Sequence, residues 1–215
     1  MKSALIALLP LTAVLTACGG AGGTLPEAAA ERAATCGVIT ANQARATIAD
    51  IKAPLSAAQQ GAVLRPALLY GSEGEEFSRD RVAEVVDAMP ALGESFSEDD
   101  IKKLAPQCAQ AYPAAPTPVK LPDDPLTAAM GCDQLSDFMR QALGGVNASS
   151  YKVNFDAYFA LNQELDKRLA PLLSQRGING VEASEAEGRK AMAAIVKLGE
   201  PTAVLDACSA RYVKG

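Results

Sequence analysis

The placement of four cysteines constrains the fold of this chain more than any other feature of its sequence. Cys36 and Cys108 lie 72 residues apart, and Cys132 and Cys208 lie 76 residues apart. The second cysteine of each pair begins the same C-x-x-x-Y element, CAQAY in one case and CSARY in the other. A spacing of four places both side chains on one face of a helix, so each element predicts a helix that closes one unit. We interpret the near-equal spacings as a diverged tandem duplication.

The N-terminal residues form a pattern that bears on where the protein is located. Lys2 precedes an apolar stretch over residues 4 to 15, and the segment LTAC ends at Cys18. These residues resemble the signal sequence and lipobox of a bacterial lipoprotein. The resemblance implies that residues 1 to 17 are a signal peptide and that the acylated Cys18 anchors the mature chain in a lipid membrane. It also implies that Gly19, directly after the cysteine, fits a location at the periplasmic face of the outer membrane.

Two other interpretations of the N-terminus stay open. The chain could be an ordinary secreted protein cleaved near Ala17, or it could keep an uncleaved membrane helix. The apolar stretch is shorter than the roughly 20 residues that a spanning helix needs. The next segment, residues 18 to 25, is rich in glycine, which predicts a flexible tether between the lipid and the folded chain.

An exported chain with four remaining cysteines is expected to contain disulfide bonds. Four cysteines allow three pairings, and spacing alone does not choose among them. Their order and the repeated element favour Cys36 with Cys108 and Cys132 with Cys208, so that each bond closes one unit. The competing interpretation is a redox or metal-binding role for the cysteines, but the sequence has neither a C-x-x-C motif nor a histidine.

The composition of both units predicts helices. Alanine, leucine, glutamate and lysine dominate, and apolar residues recur every three or four positions. We therefore predict an all-α fold of two tandem disulfide-closed bundles, each of about four helices. The units cover residues 26 to 112 and 126 to 215, joined by a proline-rich linker at residues 113 to 125. The predicted helices lie at residues 26 to 50, 56 to 70, 78 to 91, 97 to 112, 126 to 143, 151 to 174, 182 to 198 and 201 to 213.

Aromatic residues are concentrated in the segment YKVNFDAYF. Tyr151, Phe155, Tyr158 and Phe159 recur at helical offsets, which predicts one aromatic face on a helix. Such a face either belongs to the core of the second unit or forms the wall of a ligand or partner site. Burial in the core favours a protein that binds through its surface, whereas a position lining a cavity favours a ligand-binding protein.

Acidic clusters at residues 71 to 76 and 97 to 100 raise the hypothesis of calcium binding. Neither cluster has the loop spacing of an EF-hand. Ser97, three residues before Asp100, instead predicts a capping box at the start of a helix, where carboxylates also interact favourably with the helix dipole. We therefore predict no metal site and no cofactor.

The residue types present narrow the possible functions. Without histidine the chain cannot build a Ser-His-Asp or Cys-His catalytic site, and we predict that it is not an enzyme. A carboxylate-dependent hydrolase stays open, although no pair of acids can be singled out. The net charge of −5 and the lack of a basic run argue against nucleic acid as a partner. The leading hypothesis is a non-catalytic envelope lipoprotein that binds an envelope protein as an assembly factor, adaptor or inhibitor. The alternative is a lipoprotein that binds a small ligand in an apolar helical cleft.

Overall fold

A computed structural model describes residues 23 to 50, 52 to 93, 95 to 114, 117 to 145 and 148 to 214. The predicted signal sequence, the predicted lipobox with Cys18 and most of the predicted tether lie outside these ranges. Within them the chain forms α-helices and no β-strand, which confirms the predicted all-α fold. The helices are α1 (Ala29–Ala46), α2 (Ala57–Gly71), α3 (Arg79–Gly93), α4 (Glu98–Ala111), α5 (Pro125–Leu143), α6 (Lys152–Gln175), α7 (Val181–Ile195) and α8 (Pro201–Tyr212), with a 3-10 helix at Ala148–Tyr151.

Two predicted helices extend three or four residues beyond the observed C-terminal ends. The sequence predicts a helix over residues 26 to 50, whereas α1 ends at Ala46, where the Thr47 hydroxyl donates to the Ala44 carbonyl at 2.7 Å. Such local side-chain bonds compete with the next helical turn. The predicted helix at residues 182 to 198 ends early at Ile195, because the Leu198 N–H bonds back to the Ile195 carbonyl at 3.1 Å in a tighter turn.

Local capping explains where other helices begin. Ser97 and Asp100 form the predicted capping box of α4, with the Asp100 N–H donating to the Ser97 hydroxyl at 3.2 Å. In return, the Ser97 hydroxyl and N–H donate to the Asp100 carboxylate at 2.6 and 3.1 Å, and these two bonds lower the pKa of Asp100. At α5, the Asp124 carboxylate accepts a hydrogen bond from the Thr127 N–H at 2.9 Å. Pro125 occupies the first helical turn, where an N–H has no partner within the helix, so its lack of an N–H costs nothing.

Both predicted disulfide bonds are present. Cys36 of α1 is bonded to Cys108 of α4, and Cys132 of α5 is bonded to Cys208 of α8. Each bond therefore joins the first helix of its unit to the last. In each unit the first helix also occupies the centre, since α1 packs against α2, α3 and α4, and α5 packs against α6, α7 and α8.

The two halves share one hydrophobic core. Buried residues from α2, α3, α5, α6 and α8 belong to one continuous cluster. The ring of Phe77 meets that of Phe138 edge to face at 6.4 Å, and the Phe77 N–H donates to the Arg189 carbonyl at 3.1 Å. Gly61 of α2 faces Pro201 closely enough that an added Cβ would lie 3.6 Å from its ring. The units are therefore packed against each other as one body, while their boundaries along the chain stay a prediction.

Candidate functional site

The four aromatic residues singled out in the sequence lie in different environments. Tyr151 and Tyr158 are buried at 4% exposure, Phe155 is half-buried, and Phe159 is 53% exposed. Tyr158 points into the core with the buried stripe of α6, whereas Phe159, one position further, lies at the edge of that stripe. Tyr151 belongs to the preceding 3-10 helix and so does not follow the phase of α6. The tyrosines are thus core residues, and the phenylalanines remain as surface candidates.

Tyr151 links the two halves of the molecule through a hydrogen bond of its hydroxyl. Its hydroxyl donates to the carbonyl of Leu55 at 2.7 Å, and both residues are buried. The same hydroxyl accepts a longer bond of 3.4 Å from the side chain of Gln60. The ring therefore connects the start of α6 to the segment that leads into α2.

The phenylalanines line an open groove between α5 and α6, which we call the phenylalanine groove. Its volume is about 470 Å³. One wall comes from α5 and the other from the first half of α6, and its lining consists of Asp137, Arg140, Gln141, Phe155, Asp156 and Phe159. The groove combines an exposed aromatic ring with charged side chains on both walls.

The charges of the groove are held only by weak surface pairs. Arg140 and Asp137, one turn apart on α5, approach to 3.2 Å, and Lys152 and Asp156 on α6 approach to 2.6 Å. The guanidinium of Arg140 also lies 5.9 Å from the centre of the Phe159 ring, within the range of a cation–π contact. Exposed pairs of this kind contribute about 0 to 1 kcal/mol, so a bound partner can exchange them at small cost.

A second cavity lies at the junction of the two units, beside the first disulfide bond. We call it the junction cleft, and its volume is about 390 Å³. Its polar side is formed by Thr40, Gln43, Arg65 and Glu200, and its apolar side includes Ala62, Pro66 and Pro106. Arg65 belongs to α2 and Glu200 is the N-cap residue of α8, so the charged pair of the cleft combines residues from both halves. A third cavity of about 420 Å³ lies beside the 2.7 Å ion pair of Glu76 and Arg189.

A buried polar cluster holds α5 to α6 beneath the surface. The Asn162 amide donates to Asp133 at 2.7 Å, and the Ser136 hydroxyl donates to Asn162 at 2.9 Å. Burial raises the pKa of Asp133, and the nearby carboxylates of Asp137 and Asp166 raise it further against the hydrogen bond from Asn162. Asp133 lines none of the three cavities described above. We therefore assign it to the packing of the helices.

Sequence reasoning missed the charged residues of both cavities. Arg65 is a single charge within the apolar run AVLRPALL, and a lone charge in such a run is a signal that it finds a buried partner. Arg140 and Asp137 carry no comparable signal, because three-residue spacings of opposite charge are common on solvated helices. Their importance comes from Phe159 on the neighbouring helix.

Two further properties concern only the described ranges. None of the helices in them is long and apolar enough to span a bilayer. Likewise, the His, Cys, Asp and Glu side chains of these ranges do not gather in any group of three or more that could hold a metal ion.

Comparison with known proteins does not identify a relative. No protein family, no curated protein and no solved structure matches the chain.

Proposed function

We propose that the protein is a non-catalytic lipoprotein of the bacterial cell envelope that binds an envelope protein at the phenylalanine groove. The LTAC segment and the glycines after Cys18 support an acylated anchor at this cysteine and a location at the periplasmic face of the outer membrane. Two disulfide bonds support an oxidising compartment, because such bonds persist mainly outside the cytoplasm. The proposed role is that of an assembly factor, adaptor or inhibitor.

A position lining a cavity is expected to favour a small ligand, but this groove is open and the Phe159 ring stands exposed at its mouth, which favours the surface of a protein partner instead. The exposed ring of Phe159 is the observation that carries this proposal. It is 53% exposed at the mouth of a groove, and the half-buried Phe155 lies one turn before it on α6. Aromatic residues and arginine are enriched in the centres of protein interfaces, and here Arg140 lies over the ring. Burying the ring under a partner removes its apolar surface from water at about 25 cal/mol per Å².

The rim of the groove indicates the chemistry of the partner segment. Asp137 and Asp156 stand on opposite walls, and within the described part of the chain each forms an ion pair with a partly or fully exposed cation of its own helix. A basic side chain from the partner can replace these cations without losing the pairing. We therefore expect a segment that places one apolar side chain against Phe159 and a lysine or arginine beside it.

We also infer that the two units arose by tandem duplication. Each unit places its first helix at the centre and bonds it to its last helix. In each unit the tyrosine of the C-x-x-x-Y element closes the last helix, since Tyr112 is the C-cap of α4 and Tyr212 is the last residue of α8. After a duplication the two copies diverge, and here only the second unit carries the aromatic segment YKVNFDAYF.

Site-specific photo-crosslinking in intact cells tests the partner site. A photoreactive phenylalanine at Gln141, on the exposed rim of the groove, is expected to capture a discrete partner. The matched control places the same probe at Val153, which is 81% exposed on the same helix as Phe159 but lies outside the groove lining. Phe159→Ala should weaken the Gln141 product by the equivalent of about 2 kcal/mol, the size of an interface hot spot.

Two outcomes would contradict the proposal. Crosslinks of equal yield from Gln141 and Val153, unaffected by Phe159→Ala, would show that the groove does not select the captured protein. A product containing two copies of this chain would replace the envelope partner with self-association. A product that depends on Phe159 and weakens with added salt supports both the apolar anchor and the basic neighbour.

A further inference from the structure

The junction cleft holds an ion pair between the buried Arg65 and the partly exposed Glu200, and the hydrogen bonds of this pair are incomplete. The side chain of Arg65 is only 9% exposed, and its Nε lies 3.4 Å from Oε1 of Glu200. One terminal nitrogen of Arg65 donates to the carbonyl of Tyr112 at 3.3 Å. Arg65 thus contacts the C-cap of α4 and the N-cap of α8 from its position on α2, and it is one of the residues that line the cleft.

Two buried polar atoms of this pair have no hydrogen-bond partner among the described residues. They are Nε of Arg65, a donor, and Oε2 of Glu200, an acceptor. The approach of Nε to Oε1 does not have the geometry of a hydrogen bond, so the ion pair does not satisfy either atom. Leaving such atoms unpaired in a buried site is costly, and native structures rarely do so without a reason.

The Glu200 carboxylate likewise lacks a full set of polar partners. Burial raises its pKa, and the charge of Arg65 offsets this only in part. Glu200 is also the N-cap residue of α8, yet its side chain makes no capping hydrogen bond there. The Glu200 carboxylate therefore accepts no hydrogen bond from the N–H groups at the start of α8.

We propose that the junction cleft binds a small zwitterion, of which an α-amino acid is the simplest member, with its carboxylate on Arg65 and its ammonium group on Glu200. The fork of guanidinium donors matches a carboxylate, and charge-assisted bonds are the strongest that either residue can make. Arg65 and Glu200 neutralise each other, so the cleft favours a ligand without net charge. This proposal does not rest on the protein partner proposed for the phenylalanine groove.

The size and walls of the cleft restrict the ligand further. A volume of about 390 Å³ lies near the lower end of the range for small-molecule sites. Its apolar wall consists of alanine and proline residues together with Tyr112. An uncharged, partly apolar ligand side chain fits this wall, whereas a third charge there has no partner.

Calorimetric titration of the purified full chain in detergent with the natural L-amino acids tests the site. At least one amino acid with an uncharged side chain should bind saturably. Its C-terminal amide, which lacks the carboxylate, and its N-acetyl derivative, which lacks the ammonium group, should each bind at least about tenfold more weakly, since each loses one charged hydrogen bond.

Variants of the two charged residues locate the binding. Glu200→Gln keeps the shape of the side chain but removes its charge, and Arg65→Lys keeps the charge but removes the fork. Each should weaken binding at least about tenfold. Glu182→Gln, at an exposed glutamate in the first turn of α7, is the matched control and should leave binding unchanged.

Thermal melts of the same samples keep the outcomes distinct. If Arg65→Lys fails to fold, the Glu200→Gln variant still decides the question, because the Glu200 side chain is 41% exposed. If none of the amino acids binds saturably, the proposal is overturned. Binding that Glu200→Gln leaves unchanged, or amides that bind as tightly as the parent acids, would also overturn it.

Discussion

Replacing Tyr151 with phenylalanine tests whether the two halves are one cooperative body. The hydroxyl of Tyr151 is the only group removed, and it donates to the buried Leu55 carbonyl at 2.7 Å. The ring stays in the core, so the substitution removes no apolar surface. After the substitution, the buried carbonyl of Leu55 lacks the hydroxyl donor that Tyr151 supplied.

The expected loss follows from that carbonyl. A net hydrogen bond contributes about 1 kcal/mol, and a buried acceptor left without a partner costs about 1 to 3 kcal/mol. The bond from Gln60 at 3.4 Å is long and adds little. We therefore expect Tyr151→Phe to lower the free energy of unfolding by about 2 kcal/mol. For a chain of this length that corresponds to a melting temperature lower by about 4 to 8 °C.

Urea unfolding followed by circular dichroism measures this loss. The matched control is Tyr70→Phe, because the Tyr70 hydroxyl makes only an exposed 3.4 Å contact with Glu84. That variant should stay within about 0.5 kcal/mol of the wild type. Both curves should show one transition with an unchanged slope. A Tyr151→Phe variant as stable as Tyr70→Phe, or two transitions of which only one shifts, would refute the reasoning that the halves unfold together.

Two further predictions concern Asp133 and the anchor. Burial raises the pKa of Asp133 above its unfolded value, so its ionised form destabilises the fold as pH rises through the folded pKa. Asp133→Asn keeps the acceptor for Asn162 and should match or exceed the wild type in urea stability at pH 7. That difference should shrink as pH falls through the raised folded pKa and should be gone below the ordinary aspartate pKa of about 4. A variant less stable than the wild type at pH 7 would argue against a desolvated charge at Asp133. Cys18→Ser should abolish the lipid mass on the chain and release it from the detergent phase, and an intact mass without lipid on the wild type would exclude the anchor.

The phenylalanine groove and the junction cleft are separable by mutation. Phe159 and Arg140 contribute to the groove, whereas Arg65 and Glu200 contribute to the cleft, and no residue lines both. A protein partner and a small ligand can therefore be lost one at a time. Such variants distinguish a single function from two functions that share one folded body.

Short-range signals in the sequence were sufficient to predict the helices and the capping box at Ser97. The period of apolar residues places all eight helices of the described ranges near their observed positions, and the capping box at Ser97 forms as predicted. These signals act within one or two turns, so neighbouring residues contain them. The disulfide pairing was also accessible, because the repeated C-x-x-x-Y element supplied an order that cysteine spacing alone does not.

The surroundings of the aromatic segment depended on tertiary structure. Helical offsets group Tyr151 with Phe155 and Phe159, but a 3-10 turn before α6 changes the direction of Tyr151 and allows it to reach Leu55 in the other half. Likewise, Arg65 meets Glu200 across 135 positions of chain only because α2 packs against α8. Residues so far apart in sequence leave no local pattern of their pairing. Helix formation is thus determined by neighbouring residues, whereas both cavities depend on how completed helices pack.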